Sequence, residues 1–185
     1  MKIAIIGVGN LGYSIAVGIL SQKKEIGCKS LYLTKRNTAS LSHLENVSLV
    51  KTTTDNRRAV KYSNVIILAV QPAQLIEVLK EISDLIDPKK HTIISVATGR
   101  KIEEIEAHIK DGVPVIRCMP NTAISVGESM TCISANEKGK DYGSPCLRIS
   151  CIPDEPREQS KLEQRRSKET CNRYSTWAQR DAVER

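Results

Sequence analysis

Phenylalanine is missing from the 185 residues, which hold one tryptophan and five tyrosines. So few rings leave no basic run with interleaved aromatics for base stacking. A net charge of +7 therefore points to an anionic small molecule rather than to nucleic acid. Apolar runs of roughly 18 residues, the length of a membrane span, are also lacking. The opening Met1-Lys2-Ile3-Ala4-Ile5-Ile6 is too short for a secretory signal and leads straight into glycines. No CxxC spacing occurs among Cys28, Cys118, Cys132, Cys146, Cys151 and Cys171. That disfavours a zinc site and a disulfide frame. The expectation is a globular cytoplasmic protein with no metal, membrane or nucleic-acid partner.

What is present changes character near residue 140. Before it, apolar segments of two kinds alternate. Strands are expected over 2–6, 30–33, 47–51, 65–70, 92–96 and 113–117. Helices are expected over 11–20, 57–61, 74–86 and 101–109. The continuous run Val65-Ile66-Ile67-Leu68-Ala69-Val70 suits a parallel strand buried on both faces. Helix and strand in turn imply right-handed crossovers and an α/β, doubly wound parallel sheet of the Rossmann type. From 141 to 185 charged residues outnumber hydrophobic ones, and Leu162 is the sole large apolar residue of 159–170. Residues 1–140 are expected to fold, and 141–185 to be a polar tail, disordered or locally helical.

Gly7-Val8-Gly9-Asn10-Leu11-Gly12 reads GxGxxG. It leaves the first strand and opens the first helix, which is the setting the motif requires. Gly7 allows the tight turn, Gly9 lets backbone approach a pyrophosphate, and Gly12 lets helix and strand pack closely. The amides at the helix start then face the anion. NAD sites usually carry an acid about 20 residues further on, for the ribose hydroxyls. Here no Asp or Glu lies between Glu25 and Glu45, and the second strand runs out as Thr34-Lys35-Arg36-Asn37. A guanidinium can clamp a 2′-phosphate that an acid would repel. NADP(H) is the expected coenzyme, with Arg36 as the main 2′-phosphate ligand and Thr34 beside it. NAD(H) is the alternative.

Ligands of open α/β sheets lie at the carboxyl ends of the strands. Three loops leave that edge with suitable chemistry: Ala69-Val70-Gln71-Pro72, Ala97-Thr98-Gly99, and the segment from Arg117 through Thr122. These residues carry a family resemblance. Arg117-Cys118-Met119-Pro120-Asn121-Thr122, followed by Val126-Gly127-Glu128 and Met130-Thr131, resembles the MPNT region of the pyrroline-5-carboxylate reductases. Ala69-Val70-Gln71-Pro72 is similar to that family's AVKP loop, with Gln71 in place of lysine. Ala97-Thr98-Gly99 is similar to its AAG-type loop, and Asn56 matches an asparagine that contacts the adenosine ribose. The resemblance covers about residues 1–138. It implies NAD(P)H-dependent reduction of 1-pyrroline-5-carboxylate to L-proline, with Asn121 as the catalytic-site residue near nicotinamide and substrate.

The family continues with an all-helical domain that builds its homo-oligomer and part of the substrate pocket. No such pattern follows Lys140. The abrupt change is what a frameshift, a misjoined exon or a truncated product would give, and the chain alone is expected to be poorly active. The alternative reading is a noncatalytic NADP-binding or regulatory module derived from the same family.

Overall fold

The computed structural model describes residues 1–121, 124 and 131–140. The expected tail over 141–185 lies outside them. Seven strands form one sheet: β1 (Lys2–Ile6), β2 (Ser30–Thr34), β3 (Val50–Thr53), β4 (Val65–Leu68), β5 (Thr92–Ser95), β6 (Val115–Pro120) and β7 (Thr131–Ala135). Five helices accompany them: α1 (Asn10–Ser21), α2 (Lys23–Ile26), α3 (Asn56–Lys61), α4 (Leu75–Ile82) and α5 (Ile102–Glu106). The spatial order is β3-β2-β1-β4-β5-β6-β7. The first six strands are parallel, and β7 runs antiparallel to β6. Chain direction across the sheet reverses between β1 and β4, which is the topological switch point of a doubly wound fold.

Burial on both faces explains the unbroken apolar strands. Ile3 and Ile5 of β1 pack under α1 with Ile15, Ala16 and Ile19. Ile6 turns to the other layer, with Leu75, Leu79 and Ile82 of α4. Ala4 meets Tyr32 and Ala59 of α3. Each such isoleucine or leucine contributes about 1.5–3 kcal/mol when fully buried. With both layers filled, the C-terminal ends of the strands form a single free edge.

Several boundaries differ from expectation. The third strand starts at Val50 rather than Val47, because residues 39–44 coil into a 3-10 turn whose Leu41 and Leu44 enter the core. The expected helix over 74–86 divides into a 3-10 turn over 72–74, α4, and a second 3-10 turn over 83–85. Strand β6 runs on to Pro120, so Cys118-Met119-Pro120 is ladder rather than loop, paired with Ile133, Cys132 and Thr131. Strand β7 itself was not anticipated. Thr131-Cys132-Ile133-Ser134-Ala135 has one large aliphatic residue, as suits an edge strand half open to water. Asn136 closes it: its Oδ1 accepts from the amides of Val115 (3.0 Å) and Gly139 (2.7 Å). Its Nδ2 donates to Glu106 (2.8 Å) and to the Val113 carbonyl (2.9 Å).

At the N-terminal ends of the strands, His91 is 2% exposed. Its Nδ1 accepts from the Asp87 amide at 2.9 Å. Burial, assisted by the charge of Lys90 and opposed by Asp87, holds its pKa below the ordinary value. The unfolded chain therefore takes up a proton near pH 6.5 that the folded chain refuses. Stability is expected to be full above that pH and to fall as pH drops through the depressed folded value. Urea unfolding from pH 7.5 to 5 checks this. His91→Asn, which keeps an acceptor and does not titrate, should flatten the decline. A decline of equal slope in the variant would assign it to other groups.

Candidate functional site

The glycine loop sits at the switch point. Gly7 leaves β1 with φ +88°, a left-handed backbone that favours glycine. A Cβ there would stand 2.5 Å from Val70 Cγ1 and 3.0 Å from Val70 backbone. At Gly12, inside α1, a Cβ would lie 2.8 Å from the Gly7 carbonyl oxygen and 3.4 Å from Ala69 Cβ. These two positions fix how closely loop, helix and the turn after β4 approach one another. Gly9 differs. It caps α1, no side chain bonds the first-turn amides, and a Cβ built there meets nothing within 4 Å. Helix geometry leaves those amides without intrahelical acceptors. An open cradle above uncapped amides fits a phosphate group, and no acid occupies the first turn to oppose one.

The tip of β2 braces this loop. The Thr34 carbonyl accepts from the amides of Gly7 (3.2 Å) and Val8 (2.9 Å). Its hydroxyl accepts weakly from the Gly7 amide (3.3 Å) and donates to Asn56 Oδ1 (2.7 Å). Asn56 Nδ2 in turn donates to Glu81 at 2.9 Å. Thr34, expected beside a 2′-phosphate, is 2% exposed, so its hydroxyl holds the loop from beneath. Val8 and Ala97 are likewise buried, at 1% and 2%. Their side chains fill the two core layers, which leaves backbone as the part that could meet a ligand.

Arg36 is exposed and forms no hydrogen bond or ion pair with the described residues. A cavity of about 370 Å³ opens next to the glycine loop, lined by Gly9, Asn10, Tyr13, Lys35, Ser40 and His43 among others. Lys35 Nζ donates to Ser40 Oγ at 2.9 Å, and Tyr13 Oη meets His43 Nε2 at 3.0 Å. The sequence marks neither Lys35 nor His43 as a site residue. The signal that could have raised them was their spacing across the 39–44 turn, which folds His43 back toward α1.

The other strand-end loops reach the same edge. Gln71 and Pro72 are exposed after β4, and Thr98 and Gly99 after β5, with Gly99 at φ +70°. Asn121 is exposed directly after β6, and its carbonyl accepts from the Ile124 amide at 3.2 Å. Thr122, Val126, Gly127, Glu128 and Met130 lie outside the described residues. Among the described residues no group of three or more His, Cys, Asp or Glu could hold a metal ion. No helix there is long and apolar enough to cross a membrane.

Sheet order, switch point and glycine turn together define a Rossmann-type dinucleotide-binding fold. The family model described as "NADP oxidoreductase coenzyme F420-dependent" matches residues 2–99, and the chain belongs to that family. Among curated proteins it is similar to pyrroline-5-carboxylate reductase 1 of Dictyostelium discoideum, 39% identical over 132 residues. It is also similar to pyrroline-5-carboxylate reductase 2 of the same organism, 41% identical over 135 residues. These alignments cover 71% and 72% of the chain but 23% and 44% of the relatives, so the chain spans less than half the length of either. Among solved structures, a pyrroline-5-carboxylate reductase from Coxiella burnetii superposes with TM-score 0.73 at 24% identity. That match covers 99% of this chain and 80% of the other. The Plasmodium falciparum pyrroline carboxylate reductase with NADP bound gives TM-score 0.67 at 21% identity, covering 87% and 59%. At those identities the structural likeness speaks to fold.

Proposed function

We propose that this chain is the nucleotide-binding portion of an NADPH-dependent reductase that converts 1-pyrroline-5-carboxylate to L-proline. The observation that carries the reading is the open cradle at Gly9 above the uncapped first turn of α1. The names of the Dictyostelium relatives supply the substrate class. In this reading the amides of Asn10, Leu11 and Gly12 take the pyrophosphate, while the Gly9 amide donates to the Gly7 carbonyl at 2.8 Å. Arg36 takes the 2′-phosphate, with Lys35 close by, and Asn56 meets the adenosine ribose through the amide proton not given to Glu81. Backbone of Val70, Gln71 and Pro72 and of Ala97, Thr98 and Gly99 flanks the nicotinamide, and Asn121 lies near ring and substrate. NADPH, when bound, would supply a hydride to the imine carbon of the substrate, and the imine nitrogen would take a proton from water. The protein's share is placement and exclusion of water. A cytoplasmic location belongs to the same proposal. The free thiols of Cys28 and Cys132 fit a reducing compartment.

Titration of NADPH followed by its fluorescence tests the nucleotide site, and NADPH oxidation with 1-pyrroline-5-carboxylate tests the reaction. Arg36→Ala should weaken NADPH about tenfold and NADH less than about twofold, since one charge-assisted clamp is lost. Equal losses for both coenzymes would remove Arg36 from the 2′-phosphate. The open cradle at Gly9 serves equally a second reading, a noncatalytic NADP-binding module. NADPH binding without turnover would select it, and sustained turnover by the isolated chain would dismiss it.

A further inference from the structure

Two of the strand-end loops are tied together by Arg100, to which the sequence drew no notice. Its Nε donates to the Pro72 carbonyl at 3.1 Å, and its Nη1 donates to the Glu104 carboxylate at 3.0 Å. Glu104 is itself fixed by the start of α5, where its Oε1 accepts from the Lys101 amide at 3.2 Å. The Pro72 carbonyl also accepts from the Leu75 amide, so it belongs to the rigid start of the 72–74 turn. Arg100 thus bridges a helix cap on one side and a proline-locked turn on the other, immediately after Gly99 at φ +70°.

We propose that Arg100, held by Glu104, is a positioning residue that sets the spacing between the Gln71-Pro72 turn and the Thr98-Gly99 loop. This deepens the reading given under Proposed function and rests on it, because those two loops flank the nicotinamide end of the dinucleotide there. The residue type suits the task. A guanidinium fork reaches a carbonyl and a carboxylate at once in fixed geometry, and a lysine point charge does not. The Arg100 guanidinium and the Lys101 amide together favour the ionised Glu104: its carboxyl is held below the ordinary range, chiefly by the Arg100 hydrogen bond. Arg100 and Glu104 side chains are 31% and 38% exposed, so the pair adds little to stability. Its effect is on where the two loops stand.

The test compares two ligands. NADPH spans the whole site, whereas 2′,5′-ADP occupies the adenosine end alone. Arg100→Ala and Arg100→Lys should weaken NADPH about three- to tenfold, the cost of ordering loops the bridge no longer holds. Both should leave 2′,5′-ADP within about 1.5-fold, because its site lies at the other end of the cleft. Glu104→Gln keeps an acceptor for the Lys101 amide and loses the ion pair, so it should fall between wild type and Arg100→Ala. Equal weakening of both ligands, with a lowered melting temperature, would show a merely structural role and overturn the inference. Unchanged affinity for both would overturn it as well. Wild-type protein that binds neither ligand would instead overturn the reading of the site, and the inference with it.

Discussion

Gly9→Asp should yield a protein as stable as the wild type that no longer retains NADPH. The backbone at Gly9 is extended, with φ −85°, and a Cβ there meets nothing within 4 Å, so aspartate enters without strain. At the cap of α1 its carboxylate accepts from the first-turn amides, an interaction that suits a helix start. The melting temperature should therefore hold or rise slightly. The same carboxylate fills the proposed pyrophosphate cradle and repels what would replace it. Affinity for NADPH should fall at least about a hundredfold, equivalent to about 2.7 kcal/mol. Gly9→Ser, which caps without charge, should lose less. Thermal melts paired with fluorescence titration separate the two effects. Wild-type affinity in Gly9→Asp would place the pyrophosphate elsewhere and empty the functional proposal of its main support.

Gly7→Ala should do the reverse and strike the fold itself. An alanine at φ +88° carries a backbone cost of about 1–2 kcal/mol. Its methyl would also press on Val70 at 2.5 Å from Cγ1 and 3.0 Å from Cα. Together these should destabilise the protein by about 3 kcal/mol, within the range of overpacking combined with backbone strain. Chemical denaturation measures it. Val70→Ala introduced alongside removes the Cγ1 contact while leaving the backbone contact and the positive φ, so it should recover part of the loss. Complete recovery would mean that the side-chain clash alone was at issue and that the turn tolerates a Cβ. A wild-type midpoint in the single variant would show that the turn after β1 relaxes freely.

The parts of the molecule that were legible beforehand are those set by local pattern and by two-sided burial. The apolar run from Val65 identified a central parallel strand because both of its faces are covered. The spacing of Gly7, Gly9 and Gly12 identified a turn whose three positions have three different steric roles. What escaped notice depends on partners distant in sequence. Thr34 stands at a strand tip, and its hydroxyl donates to Asn56, 22 residues away. Arg100 and Pro72 lie 28 residues apart, and nothing local marks them as neighbours. β7 escaped because an antiparallel edge strand needs few large apolar residues. Its pairing with β6 comes from the ladder and from Asn136 rather than from its own composition. The 39–44 turn, which carries His43 to the cavity, shows no clear strand or helix pattern in sequence, and Leu41 and Leu44 anchor it in the core.

The four side-chain hydrogen bonds of Asn136 bear on how the sheet frays. Its amide grips the NH of Val115 at the beginning of β6 and the carbonyl of Val113, so β7 has no way to peel away as a lone ribbon. Unzipping that margin strips protection from Val115 at the same moment. Strands β6 and β7 should therefore open as one cooperative unit, with hydrogen exchange at the Val115 amide reporting on both.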